Sequence, residues 1–475
     1  VKTALVWFRN DLRLDDNPAF FSACAAADRI VPVFILDDAA AGDWKPGGAS
    51  RWWLHHSLAS LARDLRARGA DLILRQGNAE TIIPELAAEA GGTEIHAARS
   101  FEPWARGLDI RVATALRPTG IAFHRHLSAQ LFAPESIKTK TGGPYTVYTP
   151  FSRACLERDV SSPQPAPARI AGIPGISSIP LNDLNLLPKT PDWAGGLRDA
   201  WRPGEAGAKT LLDRFLAGPV QKYDECRNLP SIQGTSRLSP HVHFGEISPR
   251  RLWHAARAAP PGKGAETFIK ELLWREFSIS LLWHNLELPE LPIRAEFANF
   301  PWAQNPAALR AWQEQKTGYP IVDAGMRELW QTGWMHNRVR MITASFLVKH
   351  LLIPWQDGEK WFWDCLVDAD LAANAASWQW VAGCGADAAP YFRIFNPVLQ
   401  GRKFDPEGNY VRRFVPELAG LPDEFIHTPW EAPESVLAAA SITPGITYPP
   451  QIIDLTTGRE RALAAYKTIT DQKNA

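Results

Sequence analysis

Cysteine is scarce: five residues (Cys24, Cys155, Cys226, Cys365 and Cys384), odd in number, scattered, and never in a C-x-x-C pair. That pattern argues against a disulfide-stapled scaffold and a cysteine-held structural zinc, and predicts reduced thiols and a cytoplasmic address. Net charge is missing too. The 51 Lys+Arg cancel the 51 Asp+Glu, so no global field steers the chain onto DNA or an anionic membrane, and any nucleic-acid site has to be a local patch. There is no run of 18 or more apolar residues, and the chain opens directly on a strand-like stretch, Thr3 to Phe8; neither secretion nor a membrane span is expected. No G-x-G-x-x-G follows that stretch. Arg9-Asn10-Asp11-Leu12-Arg13 stands there instead, which disfavours a nicotinamide dinucleotide site.

What is present is enough chain for two to four domains at about 150 residues each, with a globular composition of 45% hydrophobic and 21% charged residues. Residues 1 to 132 alternate short apolar strands (Ala4–Trp7, Ile30–Leu36, Leu72–Leu74, Glu94–Ala97, Ile121–His124) with helical patterns (Pro18–Ala27, Ser50–Arg68, Thr81–Ala90, Ala105–Leu116). That rhythm predicts an α/β domain built on a doubly wound parallel sheet. Residues 133 to 204 are rich in Pro, Gly and Ser, as in Pro163-Gln164-Pro165-Ala166-Pro167, and read as a long interdomain linker packed along the surface. From 205 to 475 strand signals fade and a large all-α domain is expected, with helix starts at Ser239-Pro240 and Ser248-Pro249. Fourteen of the 20 tryptophans lie after residue 200. Such density suggests stacking platforms or redox chains in addition to core filling.

Three stripes in the helical half carry polar chemistry. Asp370, Asn374 and Trp378 fall at i, i+4 and i+8, one helix face, with Trp380 turned away. A helix over Val322–His350 places Trp334, Asn337 and Met341 on one stripe, with Arg338 and Arg340 beside it. A third carries Glu271, Trp274, Arg275 and Ser278. Ahead of it, Gly234-Thr235-Ser236-Arg237-Leu238-Ser239-Pro240 brings hydroxyls and backbone N–H groups to a helix start, a chemistry suited to phosphate oxygens. Each has an ordinary structural explanation when taken singly: a cap, a salt bridge, a core stripe. Together they describe a socket for a heteroaromatic ligand, because buried carboxylates and amides need polar partners.

These residues resemble the photolyase/cryptochrome flavoproteins. The likeness is carried by Trp7–Arg13, Thr235–Pro240, Trp274-Arg275-Glu276-Phe277, Gly318–Asp323, Gly333–Met341, Asp368–Trp380 and Ala389–Pro397, in family order from about residue 3 to about 430. The resemblance implies that the helical domain binds FAD folded into a U. Tyr223, Thr235, Ser236, Arg237, Leu238 and Ser239 would hold the phosphates and ribityl chain, with Arg275, Asn337, Arg340, Asp368 and Asp370 around the flavin and adenine. Asn374 matches the position facing flavin N5. A neutral amide can accept from a protonated N5–H, which favours a catalyst over a photosensor.

The implied activity is light-driven repair of cyclobutane pyrimidine dimers in UV-damaged DNA. Photolyases extrude the lesion from the duplex to reach it. Trp274 and Trp380 match the two stacked walls of the lesion pocket, and Glu271 the residue on the pyrimidine edge, either protonated and stabilising charge at a carbonyl or ionised and orienting the base. Arg227, Asn337, Arg338 and Met341 complete the pocket by the same correspondence, and Arg402 and Lys403 add phosphate-facing charge. Trp378, Trp355 and Trp302 match the inner, middle and outer members of an electron-transfer chain, with Trp361 and Trp363 as a possible branch.

Neither Asn337 nor Met341 is the His that a (6-4) photolyase would place there, and both indoles of Trp378-Gln379-Trp380 are kept where a DASH-type protein would change the second. This points to the bacterial class I or class III groups. An antenna chromophore is expected in the α/β domain. Phe101–Asp109 lacks the Asn-Glu pair of one folate-binding subgroup, so 8-hydroxy-deazaflavin and FMN also fit; methenyltetrahydrofolate is preferred because the Trp-rich surroundings could stack a pterin. A monomer with no metal is expected. The alternative function is a blue-light receptor signalling through a protein partner, a reading that usually brings a signalling extension beyond the helical core, whereas the 45 residues given after Trp430 are unremarkable.

Overall fold

The computed structural model describes residues 1–387 and 392–474. Five strands, β1 (Thr3–Phe8), β2 (Arg29–Leu36), β3 (Ile73–Gln76), β4 (Glu94–Ala98) and β5 (Ala122–His126), form one parallel sheet in the order β3-β2-β1-β4-β5. The helices α1 (Pro18–Ala26), α2 (Gly48–Arg66), α3 (Ala79–Ala90) and α4 (Pro103–Leu116) alternate with them. The expected α/β rhythm holds with shifts of one or two residues at most ends. Leu5, Trp7, Val31, Val33, Ile35, Ile95 and Ala97 bury one face of the sheet against α3 and α4, while α1 packs on the strands' other face.

The strand order reverses beside β1, where doubly wound sheets bind nucleotides in the crevice past the strand ends. Here that place is taken by Arg9, whose Nη1 lies 2.6 Å from Asp109 and whose guanidinium covers the Trp7 ring at 4.6 Å. Arg13, buried, donates to the carbonyls of Asp16, Ser128 and Gly245. The Arg9–Arg13 segment is therefore structural in this domain, in keeping with the missing glycine motif.

The described chain divides into two compact units. The first comprises Val1–Gln221, Ser236–Leu286 and Val367–Ala372; the second comprises Lys222–Thr235, Glu287–Leu366 and Ala373–Ala475. The boundaries near 132 and 205 are drawn from composition. Packing instead keeps 205–221 and 236–286 in the unit that contains the sheet. The proline-rich stretch is tied to that unit by backbone bonds such as Asp16 N to Gln164 O and Ile170 N to Arg68 O.

The first unit also contains α5 (Pro249–Ala258) and α6 (Lys263–His284); the second contains α7 (Pro320–Thr332), α8 (Asn337–Ser345), α9 (Trp355–Cys365) and α11 (Pro397–Phe404). Between the last two in sequence runs α10 (Leu371–Ala382). No strand follows His126 among the described residues, and no helix among them is long and apolar enough to cross a membrane. Ser248 caps α5 as expected, accepting from Arg251 N with Pro249 at the first position. Ser239 does not cap: it is itself the first residue of a five-residue helix, Ser239–His243, whose cap position is Leu238.

The helix expected over Val322–His350 is broken. Gly333, at φ 67°, ends α7, a left-handed conformation that glycine adopts without the Cβ penalty. A new helix then starts at Asn337, capped by His336. Trp334 thus lies in the connection and not on one helical stripe with Asn337 and Met341.

Candidate functional site

In the first unit the predicted residues gather on α6 and in the segments around it. Glu271, Trp274 and Arg275 are half-buried and Ser278 is buried. One face of the Trp274 indole is covered by Tyr148, parallel at 3.7 Å between ring centroids, and Phe277 meets it edge-on. Tyr148 was invisible in the sequence because it sits in the stretch read as linker; its hydroxyl donates to the Lys270 carbonyl at 2.7 Å, which ties it to the same helix. Arg275 donates to the Ala129 carbonyl at 2.6 Å. Asp368 and Asp370 are both buried, with Asp370 N donating to Asp368 O. Asp370 stands one residue before α10 begins, and His243 Nδ1 lies 4.0 Å from it. Leu238 is buried, Ser239 exposed, and Arg237, at φ 53°, lays its guanidinium over Trp201 at 4.4 Å. Ser236 accepts from Leu238 N at 3.4 Å.

Glu276, within the Trp274–Phe277 motif, is a further titrating group. It is fully buried and accepts from Leu131 N and Phe132 N. Burial pushes its carboxyl up to about 7 against the pull of Arg275 and those N–H groups, with Asp370 adding to the rise. A carboxyl raised in the fold binds its proton more tightly there than in the unfolded chain. Its stabilising contribution is therefore full below pH 4.5 and lost as pH rises through about 7. Comparing Glu276→Gln with the parent by urea unfolding should show the variant gaining about 3 kcal/mol relative to the parent between acidic pH and about pH 8. A pH-independent difference would contradict the burial argument.

In the second unit, α9 meets the part of α10 that runs from Ala373 onward. Trp378 is buried with its ring edge on Phe362 (5.0 Å) and Trp312 (6.3 Å). Gly358 makes this contact possible: a Cβ there would lie 2.2 Å from the Trp378 ring. One residue further along α9, the Glu359 carbonyl accepts from the Asn374 amide at 3.0 Å. That bond identifies which end of the amide is nitrogen and leaves the oxygen as acceptor. The Glu359 side chain is buried, neither of its oxygens has a hydrogen-bond partner among the described residues, and burial, with Glu290 adding to it, raises its pKa well above the ordinary carboxylate value. Trp355, buried, opens α9 one turn before Gly358 and so lies on the face that receives Trp378. Trp302 is half-buried against Phe300 at 4.4 Å, and Trp361 stacks on Trp330.

Gln379 lies between the two indoles of the motif. It is fully buried, accepts from Ile293 N at 2.9 Å, and donates to the carbonyls of Leu288 (2.7 Å) and Leu291 (2.8 Å). It thereby fixes α10, and with it Trp378 and the half-buried Trp380, to the 288–293 segment. Gln379→Ala leaves those backbone groups without the amide and should cost about 3 kcal/mol in chemical unfolding; a loss below about 0.5 kcal/mol would mean that water replaces it. Its position between two singled-out residues was the available signal.

A basic patch also lies in this unit. Arg338 donates to Asn228 (2.6 Å) and covers Phe404 at 4.4 Å, while Lys403 approaches the same ring at 5.2 Å. Arg227 and Arg393 are close enough that their charges, after burial, lower the Arg338 pKa. Burial, then Arg338, Arg340 and Arg227, push the His336 imidazole down to about 3, so it is neutral and its Nδ1 can accept from Arg338 N. Asn337 is exposed and Met341 half-buried, one turn apart on α8. Arg340 donates to the Met335 carbonyl. Arg402 is tied to Thr428 and Glu431, which makes it less available than a solvated charge. Tyr223 is buried under Arg227, and Thr235 follows Gly234, which is packed on Cys226. Ala389-Pro390-Tyr391 of the quoted motif, with its leading Ala388, lies outside the described residues.

Two family models match this chain: the FAD binding domain of DNA photolyase over residues 268–468, and DNA photolyase over residues 4–168. A deoxyribodipyrimidine photo-lyase of Agrobacterium fabrum is 48% identical over 99% of both chains. Cryptochrome-2 of Arabidopsis thaliana is 37% identical over 97% of this chain and 78% of its own. Among solved structures, a bacterial class III photolyase from Agrobacterium tumefaciens superposes with a TM-score of 0.96 at 47% identity, covering 99% of this chain and 98% of that one.

Proposed function

The chain belongs to the photolyase/cryptochrome family, and from that premise we propose that it is a deoxyribodipyrimidine photo-lyase that repairs cyclobutane pyrimidine dimers in UV-damaged DNA. The observation that carries this over a receptor role is Asn374. Its nitrogen is fixed on the Glu359 carbonyl, so a neutral oxygen is held ready for an N–H donor. A reduced flavin protonated at N5 is such a donor, and no charge change is demanded of the protein. The buried carboxylates Asp368 and Asp370 and the hydroxyl-bearing stretch from Thr235 to Ser239 suit the polar groups of the same cofactor, with Tyr223, Arg275, Asn337 and Arg340.

FAD held by these residues would supply light-driven one-electron chemistry, lending an electron to the cyclobutane ring and taking it back. The chain's own residues position and exclude water. Trp274, braced from behind by Tyr148, and Trp380 provide flat surfaces for an extruded pyrimidine pair. Glu271 meets the pyrimidine edge. Arg227, Arg338, Arg402 and Lys403 face phosphates, with Met341 beside them. Trp378, Trp355 and Trp302 carry electrons for re-reduction.

The class III kind is favoured within the family by the 0.96 superposition. For the antenna we propose methenyltetrahydrofolate. A cavity of about 640 Å³ in the first unit is lined by Arg99, Arg106 and Trp283. Arg106 lies over that indole at 3.6 Å, a setting for a pterin that carries carboxylates. We also keep the expectation of a monomer. Fluorescence titration tests the substrate assignment: a dimer-containing oligonucleotide should bind more tightly than its undamaged twin, and more weakly as salt rises. Equal affinity for both would contradict it.

A further inference from the structure

The pairing of β4 with the edge strand β5 places His96 directly opposite His124, with Glu94 two residues before His96 on the same face. That face is opposite to the one where Ile95 and Ala97 join the apolar core. Glu94 Oε2 lies 3.3 Å from His96 Nε2 and 3.5 Å from His124 Nε2, and the three ligand atoms all fall within 4.8 Å of one another. A tetrahedral centre with bonds of about 2.1 Å separates its ligand atoms by about 3.4 Å. Two of the three separations are already at that value.

The His96 side chain supplies a second, independent sign. It is 4% exposed, and its Nε2 makes no aligned hydrogen bond among the described residues although Glu94 Oε2 lies 3.3 Å away, so a cation seated between the two would satisfy both. Its other nitrogen, Nδ1, lies 3.0 Å from His126 Nε2. If that nitrogen carries the proton and donates it to His126, the lone pair is on Nε2, aimed at Glu94 and His124. A hydrogen-bond acceptor on the far nitrogen, here the His126 imidazole, orients a metal-bound histidine and fixes its tautomer.

We propose that Glu94, His96 and His124 form a binding site for a divalent first-row transition cation, Zn²⁺ being the best fit, with His126 as a positioning residue that sets the His96 tautomer. Two imidazoles and one carboxylate leave a coordination position open. The His124 side chain is 47% exposed, so the site is reachable from solvent. The proposal does not depend on the flavin chemistry or on the antenna.

The test is calorimetric titration of the purified, chelator-stripped full chain with ZnCl₂ alone, with zinc-edge X-ray absorption on the saturated sample. About one ion per chain should bind. His124→Ala and Glu94→Gln should each weaken binding at least about tenfold, and His126→Ala about tenfold through His96. The absorption spectrum should lose imidazole scattering in His124→Ala. His124 is 47% exposed in its side chain, so its truncation spares the core and decides the matter even if His96→Ala fails to fold. Absence of saturable binding, or binding unchanged in both His124→Ala and Glu94→Gln, overturns the site.

Discussion

Trp378→Phe should abolish light-driven reduction of the bound flavin while leaving repair by chemically reduced protein intact. Phenylalanine fills most of the space against Phe362 and Gly358 but cannot be oxidised to a radical at a comparable potential, so the first hop is removed without removing the fold. The checking measurement is the loss of oxidised-flavin absorption under blue light with an external thiol, set beside repair after dithionite reduction. The packing also says where to look if photoreduction survives. Survival would mean that Trp378 is not the obligatory first hop, and Trp312, whose ring centroid lies 6.3 Å from that of Trp378 in the parent, would be the next indole to substitute.

The second large effect is on the substrate side. Glu271→Ala should lower repair by about a hundredfold, the scale seen when one group stabilising developing charge is deleted, while flavin content stays unchanged. Glutamine imitates a protonated carboxyl and not an ionised one. The Glu271→Gln rate therefore reads the protonation state in the working complex: near the parent if the carboxyl donates a hydrogen bond, near Glu271→Ala if it must be ionised. Unaltered repair in Glu271→Ala would remove this residue from the lesion pocket.

Much of this was legible in the sequence because it depends on local periodicity. The strands of the sheet and the helices between them follow from alternation of apolar runs, and Glu271, Trp274, Arg275 and Ser278 do share one helix, α6. The failures are places where a single residue overrides periodicity. Gly333 ends α7 and takes Trp334 off the stripe it seemed to share with Asn337. Ser239, a hydroxyl before a proline, looks like Ser248 but lies one residue inside its helix. Other features are set by tertiary pairing and had no local signal at all. Tyr148 reaches Trp274 from a stretch that reads as linker, Gly358 is needed only because Trp378 lies on it, and the Glu94, His96 and His124 cluster exists only because two parallel strands pair in one register. Counting cysteines could not find a site built from histidines.

The central claim is that a reduced flavin in this chain donates an electron to a dimer taken out of DNA. The most direct measurement is the return of intact thymines, by chromatography, from a dimer-containing oligonucleotide incubated with the purified, flavin-loaded and chemically reduced protein. The account predicts restoration under blue light and none in the dark. Protein that carries reduced FAD and binds the oligonucleotide, yet restores no thymine under illumination, would contradict it.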